Sequence, residues 1–374
     1  MQVLIIIFCV ASCWAFPRFD EVAEVCIPTE CNITNDCRCC STDNPVSDAD
    51  DPAPQLIAIT LSQFLTQEVY DIIKPLFFDR SNPDGKPRGF TFYVSHEHTN
   101  YTLVQDLYLR GFEIGDNSIT RDAGQAYWKL ATLQDLREEF GGQRTIISTF
   151  ANIPKEDIVG VRTPQLQLGG DTSIQAYIDS GLTYDNSWPT TTTNRVLPYT
   201  LDYASTQQCV TPIRCPEESH PHFWIAPISS IIGADGRECN SLATCDVRGT
   251  ADDIAAWLIE QVDIVRKGNR APLILRVHVY WFEFIDNSFE GFSKFLEQAS
   301  ELKDVFFVSV QDVLAWIHNP VPLSQYTTPL HDDRHAGCLP INCQYLNEYG
   351  DERWMGSCVP CPPNYPWKGN PLGE

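Results

Sequence analysis

From Gln55 to Pro320 apolar, β-branched runs alternate with stretches of helical spacing, and this alternation most restricts what the chain can fold into. The runs "QLIAIT", "GFTFYV", "GFEIGDNS", "RTIISTF" with its neighbour "EDIVGV", "PLILRVHVYWF" and "VFFVSV" read as strands. Residues 99–111, 251–269, 289–304 and the closing "VQDVLAWIHNP" read as helices. Strands separated by helices imply a largely parallel sheet, closed as a barrel or doubly wound, with chemistry at the C-terminal strand ends. The chain has 374 residues, 43% of them hydrophobic, enough for one core of roughly 250 residues plus appendages. The stretch "PQLIAITLSQFLTQEVYD" places Thr60, Leu61, Ser62 and Gln63 at a turn from strand to helix, where such folds work.

The appendages point to export. Residues 1–15 carry a short apolar run and small residues near Ala15, the pattern of a secretory signal, although no Lys or Arg precedes the run. No later stretch reads as a membrane span. Of 15 cysteines, Cys9 and Cys13 would leave with the signal, and the close pairs among the others suit disulfide staples in an oxidising compartment. Zinc is the rival reading of "CNITNDCRCC", but that stretch lacks histidine. An odd number remains, so one cysteine has no intramolecular partner. Residues 16–53 are a cysteine-rich segment and acidic linker, 54–320 the core domain, and 321–374 an extended, cysteine-containing strap. Asn32 in "NIT" and Asn100 in "NYT" are glycosylation sequons. A net charge of −23 disfavours nucleic acid and anionic membrane as partners and suits a neutral or cationic ligand.

The ordered segments "PQLIAITLSQ", "FYVSHEHTNYTLVQDLYLRGFEIGDNSITR", "VGVRTPQLQLGG", "YDNSWP", "LPYTLDY" and "LRVHVYWF" resemble the polysaccharide deacetylases with a NodB-type domain. Closer still is the similarity to the insect chitin deacetylases of the gut type, which lack separate chitin-binding modules. The resemblance implies an α/β fold, a distorted (β/α) barrel. In that family the first strand ends in Thr-Phe-Asp-Asp, a general base followed by a zinc ligand, and a His-Ser-x-x-His segment supplies two more ligands. Such a site leaves zinc open to water and the acetamide carbonyl and brings the water's pKa to about 7. Here Ser62 stands at the base position, and Gln63, Asn117 and Arg121 stand at the ligand positions. Neutral amides are weak zinc ligands, and Arg121 brings a fixed positive charge. No cofactor is therefore expected, in contrast to the zinc of active relatives. Three other positions match: Arg162, which in the family orients the catalytic Asp; Asp202, which tunes the acid histidine; and His278, that histidine. His96, His98 and Asp116 are the candidates for a relocated metal. Relatives also have Ser where this chain has Cys40, and a Cys near Lys86, so their disulfide pairing does not transfer unchanged.

Flat aromatic faces against pyranose rings bind a neutral polymer without catalytic groups. By resemblance Trp188, Tyr199, Tyr203, Trp224, Tyr280 and Trp281 lie in groove-forming segments, with Trp188 and Tyr199 as first choices. The expectation is a secreted, non-catalytic homologue that binds chitin or a related N-acetylglucosamine polymer, with other proteins of a gut-lining matrix as further partners. Two alternatives stand beside it: a residual deacetylase using His278 as acid with a relocated metal or a water held by Ser62, and a structural interaction protein whose groove Arg121 blocks.

Overall fold

The computed structural model describes residues 22–212, 214–331, 337–347 and 349–374; the expected signal lies outside them. Strand β1 (Gln55–Gln63) is buried along its whole length, as its nearly unbroken run of apolar residues requires in a sheet covered on both faces. It is followed by α1 (Gln67–Phe77), β2 (Thr91–Val94), α2 (Tyr101–Leu109) and β3 (Glu113–Asp116). Next come α3 (Gln125–Leu130), α4 (Leu133–Leu136) and α5 (Gly142–Phe150), then β4 (Gly160–Val161), α6 (Asp171–Asp179) and β5 (Tyr184–Asp185). The hairpin partners β6 (Tyr199–Leu201) and β7 (His220–Ile225) lead through β8 (Ile231–Ile232) and β9 (Glu238–Cys239) to α7 (Ala251–Lys267). The domain ends with β10 (Leu273–Val277), α8 (Val279–Phe284), α9 (Ser288–Glu301), β11 (Val305–Phe307) and α10 (Val310–His318).

The sheet runs β10-β1-β2-β3-β4-β5-β7-β6, parallel except for the β6–β7 pair, while β11 pairs with the start of β1. Closure is made by the chain after β7 rather than by another strand pair. The Ser229 amide donates to Ile274 O at 2.9 Å, and the Ile274 amide donates to Ser229 Oγ at 2.9 Å. The result is the expected α/β fold, a distorted barrel.

Two of the expected strand runs are helical at least in part. "RTIISTF" lies within α5, where Ile146, Ile147 and Phe150 are buried on one side. A π-helical turn at Arg137–Gly141 carries the helix of α4 straight into it, so neighbouring structure overrides the β-branched composition. "VYWF" in turn belongs to α8, because β10 stops at Val277 and His278 takes the extended N-cap position.

Each end is cross-linked within itself and docks on the barrel through hydrogen bonds, so the expected strap is not pinned to the domain by disulfides. Cys26–Cys39 and Cys31–Cys37 shape the first segment, where the Arg38 amide donates to Thr200 Oγ1 on β6 and Arg38 O accepts from the Thr200 amide. At the other end β12 (Ile341–Leu346) and β13 (Glu352–Ser357) form an antiparallel hairpin, held by Cys338–Cys358 and Cys343–Cys361. This hairpin docks through Gly356 N–H to Thr99 O and Cys358 N–H to Phe150 O. Cys209–Cys215 and Cys239–Cys245 complete six disulfides among the described residues, of whose cysteines Cys40 is free. No helix among the described residues is long and apolar enough to cross a membrane.

Candidate functional site

Strands β1, β3, β4 and β10 bring their C-terminal ends together, and the residues just beyond them form the candidate site. Ser62 and Gln63 end β1 and are buried. Asn117 follows β3; its Nδ2 donates to Arg162 O at 2.7 Å and its Oδ1 is buried without a partner. Four residues on, Arg121 takes a left-handed backbone with φ 47°. Its Nη2 reaches to 3.2 Å from His278 Nε2, and its guanidinium sits over the Phe64 ring at 5.8 Å.

A guanidinium has only donors and the Tyr280 amide approaches the other ring nitrogen, Nδ1, at 3.3 Å, so the two donors compete for the single acceptor nitrogen of a neutral imidazole. Burial, helped by the charges of Arg121 and Arg276, lowers His278 to about 4. The imidazole is thus neutral at pH 7 and carries no extra proton to give to a leaving group.

Beneath these residues the barrel is filled by a polar column. Arg162 is 1% exposed; its Nε donates to Asn186 O at 3.0 Å and its Nη2 to Thr60 Oγ1 at 2.7 Å and to Asn186 Oδ1. Thr60 Oγ1 donates onward to Leu275 O at 2.9 Å. The Arg162 guanidinium lies 4.5 Å from the centre of the Tyr93 ring, and the Tyr93 hydroxyl meets that of Tyr184 at 3.0 Å. Tyr184 in turn donates to Glu113, whose carboxyl burial raises. Glycine makes room for the tyrosines: a Cβ on Gly115 would lie 2.5 Å from Tyr93, and one on Gly160 only 2.1 Å from Tyr184.

Chitin deacetylase 8 of Bombyx mori is 36% identical over 367 residues, which covers 94% of each chain. This chain belongs to the chitin deacetylase family. Chitin deacetylase 1 of the same organism is 29% identical over 378 residues, covering 94% of this chain and 69% of its own. A scan against protein-family models matches none of them. Among solved structures, a protein assigned as a polysaccharide deacetylase from Mycobacterium smegmatis is similar at TM-score 0.44 and 12% identity, over 79% of this chain and all of its own. The Puue allantoinase reaches 0.46 at 15% identity, over 74% of this chain and 99% of its own.

The zinc of chitin deacetylases does not fit the residues present here. Gln63 and Asn117 offer only neutral amide oxygens, weak ligands even though Asn117 Oδ1 is unpartnered, and the third position holds the Arg121 guanidinium pointed at His278. Nor does a replacement form from the other expected residues. His96 is fully buried, bonded to the Tyr101 hydroxyl at 2.8 Å and lowered by burial to about 3. His98 sits against Trp354. Asp116 accepts from the Ser118 amide, and burial raises its carboxyl. Among the described residues, metal-ligating atoms converge in two other places. Cys26, Cys31 and Cys39 are all consumed by disulfides. Asp171, Glu218 and His220 lie on α6 and near the start of β7, where Asp171 already accepts from His220 at 3.0 Å and from the Glu217 and Glu218 amides.

Several site expectations require correction. Asp202 does not serve His278: its carboxylate accepts from the His222 amide at 3.1 Å and lies 3.9 Å from that residue's ring, beside the N-terminal segment. Its position at the end of β6, an antiparallel strand, turns it away from the other strand ends. Arg162 orients no carboxylate on β1, because Ser62 stands there, and binds Thr60 and Asn186 instead. The groove aromatics Trp188, Tyr199, Trp224 and Trp281 are buried. Trp188 Nε1 donates to Gln208 O, and the Tyr199 hydroxyl meets Ser205; each therefore closes a loop onto the barrel. The rings that do face solvent beside His278 are on α8. Tyr280 is 44% exposed and stacks on His278 at 4.6 Å, and Phe284 is 78% exposed, 6.0 Å from Tyr280.

Arg276, Asn186 and Phe284 were not singled out from the sequence. Arg276 was accessible by period two: it stands two residues before His278 on one strand and therefore shares its face. Asn186 is held through tertiary contacts, and no local pattern marks it.

Proposed function

We propose that this chain is a secreted, non-catalytic chitin deacetylase homologue that binds chitin or a related N-acetylglucosamine polymer. One observation carries the reading: Arg121 occupies a ligand position of the family and holds its guanidinium 3.2 Å from His278. A fixed cation there opposes a divalent metal, and no carboxylate on β1 takes up the work of the base. Losing the base alone typically costs about 10² to 10⁴-fold in rate, and the ligand set is gone as well.

Binding requires less than catalysis. Tyr280 and Phe284 offer apolar ring faces beside the strand ends, the arrangement that stacks on pyranose rings. Six disulfides support an oxidising, extracellular location, where the gut-lining matrix is the proposed setting and other matrix proteins the proposed companions. The test is to purify the exported protein, measure zinc by elemental analysis and assay acetate release from chitin oligomers. Background zinc, no acetate and retention on chitin beads in high salt are expected. Stoichiometric zinc with acetate release would sink the proposal.

A further inference from the structure

Two guanidiniums, Arg121 and Arg276, lie near the strand ends, above that of Arg162 in the buried column. Arg276 pairs in register with Thr60 across β10 and β1, and Thr60 is itself held by Arg162. Arg121 closes the group through His278, two residues beyond Arg276. The charges act on one another: burial and the fields of Arg162 and Arg121 lower Arg276 to about 9. Burial lowers Arg162 and Arg121 as well, and a guanidinium in a protein stays protonated.

Some arginines elsewhere meet carboxylates, while others, such as Arg38 and Arg144, are satisfied by backbone carbonyls. Arg266 and Arg270 share Asp304, Arg137 meets Asp179, and Arg353 meets Glu97. Among the described residues none of Arg121, Arg162 and Arg276 takes part in an ion pair. Arg162, 1% exposed, has its Nη1 buried without a hydrogen-bond partner, and the Nε of Arg276 is likewise unpartnered. The buried Asp185 carboxyl acts on Arg162, whereas the charges that act on Arg276 are those of Arg162 and Arg121, in a chain with 49 acidic against 26 basic residues. Unpaired buried charge is costly, and an anion would complete the group.

We propose that the place where the family binds zinc is in this chain an anion site, taking a carboxylate on Arg121 and Arg276. A planar carboxylate matches the planar fork of a guanidinium and forms charge-assisted hydrogen bonds with it. Tyr280, stacked on His278 and half exposed, provides a flat face beside the charge. A carboxylate-bearing sugar would use both, and free acetate would use the charges alone.

The inference rests on the reading that no zinc is held here, and the two fail separately. One equivalent of zinc in the purified protein defeats that reading, whereas a zinc-free protein without anion binding defeats only the anion site. The experiment is calorimetric titration of the full chain with sodium acetate and with sodium glucuronate, ionic strength being held constant with chloride. Saturable binding with a Kd on the order of millimolar is expected, weakened about tenfold or more in Arg121→Gln. Circular dichroism and melting check that this variant, altered at a half-buried side chain, stays folded; Arg276→Gln is the second variant. Tighter binding of glucuronate, lost in Tyr280→Ala, assigns the site to an acidic sugar, and equal binding of the two assigns it to the free anion. Absence of saturable binding for both probes overturns the proposal, as does undiminished binding in a folded Arg121→Gln.

Discussion

Arg121 Nη2 lies 3.2 Å from His278 Nε2, so the segment after β3 and the segment after β10 meet through a guanidinium and a neutral imidazole. In the family's zinc chemistry these two segments supply a metal ligand and an acid. Here one side chain has a permanent charge and the other is held neutral by burial first and by that charge second.

Restoring the ligands should therefore restore the metal. Ser62→Asp, Gln63→Asp, Asn117→His and Arg121→His combined are expected to raise zinc from background to about one ion per chain, because three ligands plus water complete a four-coordinate site. The same set without Arg121→His should stay near background, since a cation remains at the third ligand position. Elemental analysis after dialysis reads the difference.

The buried histidines give a pH dependence of definite sign. His96 is lowered to about 3 and His278 to about 4, against about 6.5 in an unfolded chain. A depressed pKa means the unfolded state takes up protons first, so their contribution is intact above about pH 6.5 and is lost as pH falls toward the folded values. Glu113, Asp116 and Asp185, raised by burial, act in the opposite direction, so the comparison must be made between variants. From pH 7 to 4.5 the native chain should lose about 2 to 3 kcal/mol more than His96→Gln. Urea titrations at the two pH values measure this; an equal loss in both chains contradicts it.

The aromatic residues divide into a binding face and a core. Tyr280→Ala with Phe284→Ala should reduce retention on chitin while leaving the melting temperature within a few degrees, because both rings face solvent. Trp188→Ala should instead cost about 3 to 5 kcal/mol by opening a cavity. A chitin pull-down alongside a melting curve distinguishes the two classes.

The same division explains what could be read in the sequence. A nearly unbroken apolar run marked β1, which is buried on both faces, and helical spacing marked α7 and α9, each long and buried on a regular face. The run "RTIISTF" failed because seven residues cannot separate a buried helix turn from a strand, and the helix that feeds it is a tertiary fact. Ser62, Gln63, Asn117 and Arg121 were identified by their place in family motifs, and the geometry gathers their strand ends. Asp202 and the buried tryptophans were misplaced because motif order says which segment a residue is in but not which way its side chain turns.

Cys40 is the free thiol, half buried beside Ser205, whose Oγ lies 3.7 Å from its sulfur. In the denatured, unreduced protein that begins after residue 15, one maleimide should add per chain, and none to Cys40→Ser. That substitution should change stability by less than about 1 kcal/mol, since Ser is nearly isosteric and can keep the contact with Ser205. Intact-mass measurement before and after reduction also tests the six disulfides.

The two sequons differ in how their amides are used. Asn32 is exposed, next to a short turn at Ile33–Asn35, so an added glycan would project into solvent. Asn100 caps α2, its Oδ1 accepting from the Thr102 amide at 3.1 Å. The strap backbone closes over the same amide: a Cβ on Gly356 would lie 2.0 Å from that oxygen. A glycan attached to Asn100 would have to lift β13 and surrender the cap, which by itself contributes about 1 kcal/mol. Glycopeptide mass spectrometry on protein from an insect cell line is therefore expected to find occupancy at Asn32 and none at Asn100. Substantial occupancy at Asn100 would show that glycosylation precedes docking of the strap, and Asn100→Gln would then have to lower secretion if the glycan served folding.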